Sequence, residues 1–446
     1  MLRIAPRSAF KRTLASHAKP QVTELSNGLR VATHSNDQAS SATVGVVFGS
    51  GSTAENPYNN GVSSIVANLV KSEGALPAAK AGVQLSTLVG RDSQSFLASY
   101  ASGSGLNKTL DVLQSQIANA LGTASDSAFT QAAQQTLKES ELFELNNHAG
   151  RVSEHLHATA FQNTPLALPM RGTAEAIQGL EKGDIQSFAL NHFRNSNAVI
   201  VGSGNLAHDE LVKAVESQLS LESGEKPVQK KTSTFLGSEV RLRDDTLPKA
   251  WISIAVEGES VTSPDYYVAQ VAAEVFGSFN AAEPASRLQG IKLLDQIQDY
   301  HLCDSYNHFS LSYKDSGLWG FAAEISNTHQ IDDLTHFTLK QWNRLTISVT
   351  GQEVARAKSL LKLKLGGAAM DNVSIANTLG TKTLALGAAP DLTQVFEKID
   401  AITVKDVKSW ASSRLWDQDI AISGTGQIES LLDYMRLRND MSMMRW

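Results

Sequence analysis

Cysteine is nearly absent from this sequence: Cys303 is the only one in 446 residues. No intrachain disulfide can form, so packing and hydrogen bonds must hold the fold, and the pattern suits a reducing compartment. Long apolar runs are missing too. None approaches the ~20 residues that a bilayer-spanning helix needs, so membrane association has to pass through partners. A strong charge imbalance is also lacking. The formal net charge is −6, which argues against nucleic acid or another polyanion as partner. Apolar residues at 42% and charged residues at 19% describe a globular chain, and the length suits two to four domains.

Acids are absent from the first stretch. None precedes Glu24, whereas Arg3, Arg7, Lys11, Arg12 and Lys19 are spread among Leu2, Ile4, Phe10, Leu14 and hydroxyl residues. A basic, hydroxylated, acid-free start reads as a mitochondrial presequence over residues 1–20, with cleavage expected just after Thr13 or Leu14. The plainer alternative is a disordered basic tail.

What is present centres on residues 48–69, FGSGSTAENPYNNGVSSIVANL. A buried strand over 42–48 leads through a Gly/Ser turn to a helix, with Asn59 or Asn60 expected as its cap. Val62, Ile65, Val66, Leu69 and Val70 recur at helical spacing and form one apolar face. Ser64, Ala67 and Asn68 share the opposite face. A zinc peptidase of the inverted type needs His-x-x-Glu-His on such a face, two His holding the metal and the Glu activating water. Positions 64–68 here read Ser-Ile-Val-Ala-Asn. A hydroxyl and an amide are weak donors to zinc, and alanine cannot act as a base. The expectation is therefore no catalytic residue, no metal and no cofactor, with Ser64, Ala67 and Asn68 marking a degenerate motif.

The rest of the chain is read as a repeat. A hairpin turns at Asn27-Gly28. Strands are expected over 82–89, 93–100 and 198–202, and helices over 106–121, 129–145, 152–161 and 184–192. Residues 221–234, LESGEKPVQKKTST, hold Gly, Pro and a charge cluster and read as a linker. Beyond it TVGVVFGSGS (43–52) returns as WISIAVEGES (251–260), and the segment 183–205 returns as 405–427. In that pairing Gly202 and Gly204 match Gly424 and Gly426, and Phe188 matches Trp410. This predicts an α+β fold with two homologous halves, 21–220 and 235–446, each packing helices on a mainly antiparallel sheet.

The run PYNNGVSSIVANLV resembles the active-site segment of the mitochondrial processing peptidase (M16-like) family, Asn-Gly-x-x-His-x-x-Glu-His. Ser64 and Asn68 stand at its two His positions and Ala67 at its Glu. Further stretches are similar to the same family: LHATAFQNTPL (156–166), FGSFNAAEPASRLQG (276–290), HFSLSYKDSGLWGF (308–321) and SVTGQEVARAKSLLKLKL (348–365). The resemblance runs from about residue 21 to the C-terminus. The emptied motif, YKDSGLWGF and the ending LLDYMRLRNDMSMMRW look like the non-catalytic members that serve as core subunits of fungal ubiquinol–cytochrome c reductase, respiratory complex III.

That resemblance implies a structural subunit, peripheral on the matrix side of the mitochondrial inner membrane and without a transmembrane segment. It implies as partners core protein 2, cytochrome b, cytochrome c1, the Rieske protein and small subunits in a dimeric complex, and cytochrome c oxidase in a supercomplex. The alternative within the family is a processing-peptidase subunit that contributes substrate binding to presequence cleavage.

Other features have plain readings. The family's third zinc ligand is a Glu on a later helix, where Glu139, Glu141 and Glu144 read here as a solvated face. In RVSEHLH (151–157), Arg151 cannot bind metal, and His155 and His157 point in different directions. Gly49-Ser50-Gly51 and its like are turns rather than phosphate loops. Tyr313 is expected in the sheet. The Met- and Leu-rich tail from residue 431 docks either on a partner or on the chain's own second half.

Overall fold

The computed structural model describes residues 19–101, 105–227, 231–284, 286, 289–368 and 370–443. The expected presequence lies almost wholly outside the described residues. Two six-stranded sheets follow one plan. The first holds β1 (Gln21–Glu24), β2 (Arg30–Ser35), β3 (Ser41–Phe48), β4 (Val83–Val89), β5 (Gln94–Ala101) and β6 (Ala198–Gly204) in the order β1-β2-β6-β3-β5-β4. The second holds β7 (Ser238–Arg243), β8 (Ala250–Gly258), β9 (Ser278–Asn280), β10 (Ser305–Ser312), β11 (Gly317–Ile325) and β12 (Ala421–Gly426) in the order β7-β12-β8-β11-β10-β9. Among the described strands only β2–β6 and β7–β12 pair in parallel. Both halves are therefore mainly antiparallel, as the alternating strand pattern implies.

The repeat holds to the residue. Val44 faces Gly202 in the first sheet, and Ile252 faces Gly424 in the second. Ala42 faces Gly204 and Ala250 faces Gly426. Both Gly204 and Gly426 have φ of 89°. A Cβ at either would lie 2.3 or 2.2 Å from a carbonyl oxygen, so the strand ends can only be glycine.

Each sheet packs one face on its own helices. In the first half these include α1 (Val62–Ala81), α2 (Leu106–Ala118) and α3 (Asp126–Asn146). Val62, Ile65, Val66, Leu69 and Val70 of α1 are all buried, with Phe48, Phe96, Leu110, Leu113 and Phe193 around them. The helix stops at Gly82, whose φ of 70° turns its N–H back to the carbonyls of Ala78 and Ala79. The helix after β5 ends at Ala118 rather than at Leu121, because a wider turn over Asn119–Thr123 follows, with Gly122 at φ 127°.

The other face of each sheet is covered by a helix from the opposite half. The helix Asn372–Leu386 lays Ala376 and Leu379 on Ala32, Val47, Leu97, Val199 and Val201 of the first sheet. Gly380 permits the approach, since a Cβ there would lie 2.4 Å from a methyl of Val47. In return α4 (His148–Ala160) lays Leu156 and Ala160 on Ala255, Leu318 and Ala421 of the second sheet. Sheets buried on both faces explain why strands such as β6 read as nearly unbroken apolar or small-residue runs.

Polar contacts fasten the same seam. Ser95 donates to Asn377, Ser203 to the carbonyl of Asn372, and the Lys314 amide to Asp92. The tail settles on its own second half. In the helix Tyr434–Met443, Leu437 and Met441 are buried, while Arg241 and Asn343 bond to carbonyls of Leu431 and Asp440.

Candidate functional site

The degenerate motif lies at the start of α1. The expected cap does not form. Asn59 accepts instead from the Asn56 amide, and Asn60 donates its side-chain amide to Glu55 and to the carbonyl of Pro169. The cap is Glu55, which lies six residues before Gly61. One carboxylate oxygen accepts from the Gly61 amide (2.8 Å) and the other from the Ser63 amide (2.7 Å). A carboxylate at a helix N-terminus satisfies orphan donors and suits the dipole. Burial nonetheless dominates and pushes Glu55 up to about 7, against the hydrogen bonds that pull it down.

Two glycines bring a loop against this helix start. Gly61 (φ 101°) and Gly172 (φ 78°) pack backbone to backbone, and a Cβ on Gly172 would lie 2.5 Å from the Gly61 Cα. That approach sets Met170 and Arg171 over the helix. Ser64 donates to the Met170 carbonyl at 3.0 Å. Asn68 donates to Thr136 at 2.9 Å and to Glu139 at 3.0 Å on α3. Glu139 also accepts from Gln135 at 2.7 Å. Ala67 lies between them, nearly buried. Together with Lys71, Thr87, Val89 and Arg171 these residues line a cavity of about 250 Å³.

Of the three acids read as a solvated face, the structure brings Glu139, still exposed, to the motif. Glu144 faces Arg151 instead, at 3.7 Å. At the positions of the family's three ligands stand one hydroxyl (Ser64), one amide (Asn68) and one carboxylate (Glu139), and all three are already hydrogen-bonded within the chain. Zinc takes imidazole, thiolate or several carboxylates, so this set does not fit the ion. Among the described residues no group of three or more His, Cys, Asp or Glu could hold a metal. The Ser64 hydroxyl is spent on the Met170 carbonyl. The arrangement can bind by hydrogen bonds and shape.

The other candidates fall at the seam between the halves. His157 is buried and gives its Nδ1 hydrogen to the Ser153 carbonyl (2.7 Å). Its Nε2 therefore accepts from the Tyr313 hydroxyl at 2.6 Å. Burial, helped by the Arg91 charge, keeps this imidazole neutral, and burial pushes Tyr313 up to about 12. Tyr313 thus packs rather than facing a substrate. Sequence reasoning missed Arg91, which is buried, pairs with Glu154 at 2.7 Å and donates to the carbonyls of Leu166 and Leu168. A single charged residue after a Gly turn carried no signal of that role.

A peptidase helix without its ligands, in two halves that repeat one plan, defines an inactivated peptidase scaffold. Residues 30–174 match the family described as Insulinase (Peptidase family M16), and residues 179–361 match the Peptidase M16 inactive domain. The chain belongs to the M16 peptidase family. It is 61% identical to the mitochondrial cytochrome b-c1 complex subunit 1 of Saccharomyces cerevisiae, over 98% of this chain and 97% of that one. It is 34% identical to the beta subunit of the mitochondrial-processing peptidase of Neurospora crassa, over 97% and 94%. Its fold superposes with a TM-score of 0.90 on a chain of complex III2 from Candida albicans, at 41% identity, covering 95% of this chain and all of that one.

Proposed function

We propose that this chain is a non-catalytic core subunit of ubiquinol–cytochrome c reductase. It would lie against the matrix side of the mitochondrial inner membrane beside core protein 2 and below cytochrome b, cytochrome c1 and the Rieske protein. Its role is to support assembly and stability of the complex, and so electron transport from ubiquinol to cytochrome c. The observation that carries this reading is the 61% identity to a cytochrome b-c1 subunit 1 along nearly the whole of both chains. The site agrees with it, because Ser64, Ala67 and Asn68 are bound into the fold rather than presented for chemistry. No helix among the described residues is long and apolar enough to cross a membrane, so attachment runs through partners. The division drawn from the sequence belongs to the same proposal: presequence 1–20, halves 21–220 and 235–446, linker 221–234.

The test is isolation of the chain from digitonin-solubilised mitochondria, with heme spectra and zinc read together. Heme b and c bands with substoichiometric zinc are expected. Stoichiometric zinc, no heme, and presequence cleavage that a chelator abolishes would overturn the reading.

A further inference from the structure

The cavity beside α1 carries charges that the emptied motif does not account for. Its lining holds two cations, Lys71 and Arg171, against one acid, Glu139. Glu139 is already engaged, accepting from Asn68 at 3.0 Å and from Gln135 at 2.7 Å. Among the described residues neither Lys71 nor Arg171 is ion-paired, whereas Lys182, Lys249 and Lys364 each meet a carboxylate within 2.7 Å. Ala67 makes the imbalance. The family motif places Glu there, and with it the lining would hold two acids against two cations.

Arg171 is held in place. Its backbone is fixed on both sides, by the Ser64 bond to the Met170 carbonyl (3.0 Å) and by the packing of Gly172 on Gly61. Its guanidinium carbon lies 4.1 Å from the centre of the Phe143 ring. A ring takes the face of a guanidinium and leaves its N–H edge for a ligand. Lys71 reaches the same cavity from α1, nearly one turn beyond Asn68, and Thr87 of β4 brings a hydroxyl. The volume of about 250 Å³ lies below the ~300–1,000 Å³ of pockets for drug-sized ligands, so the space suits a small molecule.

We propose that this cavity binds a small oxyanion with two negative charges, a dicarboxylate or phosphate, between Arg171 and Lys71. The arginine fork meets two oxygens of one carboxylate or of phosphate, and the ammonium answers the second charge as a point. Glu139 weakens the site by like charge but is turned toward Asn68 and Gln135. The proposal rests on the non-catalytic reading of the motif, because a metal ion and a Glu at position 67 would give the cavity another ligand. A basic presequence is drawn to Glu139 and repelled by the two cations, so the site selects against it.

The test uses the full chain in its native assembly. Phenylglyoxal labels accessible arginines, and mass spectrometry follows Arg171 with succinate, phosphate or chloride present at equal ionic strength. Succinate or phosphate is expected to slow labelling of Arg171 while leaving the exposed Arg436 unchanged, and chloride is expected to do neither. Whichever of the two protects at the lower concentration identifies the ligand as carboxylate or phosphate. Glu139→Gln removes the like charge and should tighten binding by about 2- to 5-fold, and Lys71→Gln should weaken it by about as much. Both positions are exposed. Unprotected Arg171, equal protection by chloride, or weaker protection in Glu139→Gln would each overturn the proposal, and the native labelling decides even where a variant does not fold. Heme bands without anion protection would sink this proposal alone; chelator-sensitive presequence cleavage would sink the reading beneath it.

Discussion

The two halves share a strand plan and differ at one equivalent position. Four residues beyond Val44 and Ile252 stand Phe48 and Val256, and their partners across the sheet are Gln94 and Trp319. Both partners are buried, and both donate a side-chain N–H to the first turn of the helix after the strand. Gln94 donates to the carbonyl of Ser63 (2.7 Å) and Trp319 to that of Ala269 (3.0 Å). The hydrogen bond is kept while the surroundings diverge. Trp319 lies among Phe276, His308, Trp342 and Trp410, at ring distances of 4.2–5.9 Å. The helix it braces has 11 residues. Gln94 braces α1, which has 20 residues and keeps a cavity on its polar face. One half packs Trp342 and Trp410 around Trp319, whereas the other, with no tryptophan in its core, keeps a cavity on the polar face of α1.

The largest effect should come from breaking the filled half. Trp319→Ala empties the aromatic cluster and is expected to cost about 3–5 kcal/mol, read by urea unfolding with tryptophan fluorescence. Gln94→Ala removes the equivalent bond but also a buried, unpartnered Oε1, so about 1 kcal/mol is expected. Equal losses would mean that the shared hydrogen bond, not the packing, sets the difference between the halves.

Next comes the exchange that joins them. Gly380→Val forces a side chain into the place where Val47 and Val201 already touch the helix. A loss of about 1–3 kcal/mol is expected. Hydrogen exchange should rise in the helix Asn372–Leu386 and in α4 together, because each covers the other half's sheet. Faster exchange in the first helix alone would show that the seam is two independent contacts.

A third test separates the halves by pH. His308 accepts from the Trp342 indole N–H, and His157 accepts from Tyr313, so both are held neutral and burial depresses both. A depressed imidazole adds stability that is full above ~6.5 and is lost as the pH falls. Glu55, raised to about 7, works in the opposite sense. Its stabilising proton is bound below the ordinary carboxylate range and lost as the pH rises through about 7. Between pH 6.5 and 5 the two imidazoles outweigh the one carboxylate. Stability should fall as the pH drops through this range, with His155 and His192 shifted in the same direction. Glu55→Gln removes the opposing proton and should steepen the slope by about 1 kcal/mol per pH unit. Urea titrations at pH 6.5, 6 and 5 measure it, and an unchanged slope in the variant would remove Glu55 from the balance.

How much of this was legible beforehand follows the physics of each feature. The repeat was readable because strand register is written in glycines and apolar residues, which is why Gly202 and Gly424 align. The emptied motif was readable because Ser64, Ala67 and Asn68 share a helix face. The exchange of covering helices was not readable. Apolar outer strand faces require a cover, but nothing in β3 or β8 says which half supplies it. Glu55 was missed because a cap reaching back from a loop leaves no fixed spacing, and the nearby Asn59 and Asn60 offered the usual chemistry. The choice of Glu139 among three acids needed the helix orientation: it lies one turn after the buried Thr136, on the side that faces α1.

The smallest effect is expected where the family's chemistry once lay. Asn68→Ala removes bonds to Thr136 and Glu139, yet Asn68 is half-buried and Glu139 is exposed and still held by Gln135. Water can take the places of the lost amide, so about 1 kcal/mol or less is expected in thermal or urea unfolding. A double-mutant cycle with Glu139→Ala should return a coupling of about 0.5 kcal/mol. A metal joining α1 to α3 would have tied them by several strong bonds; the amide joins them by weak ones, and the hydrophobic face of α1 carries the packing. A loss of several kcal/mol would reverse that ranking. It would show that Asn68 clamps the two helices together as a ligand set would, and that the open half depends on its polar face as much as the filled half depends on Trp319.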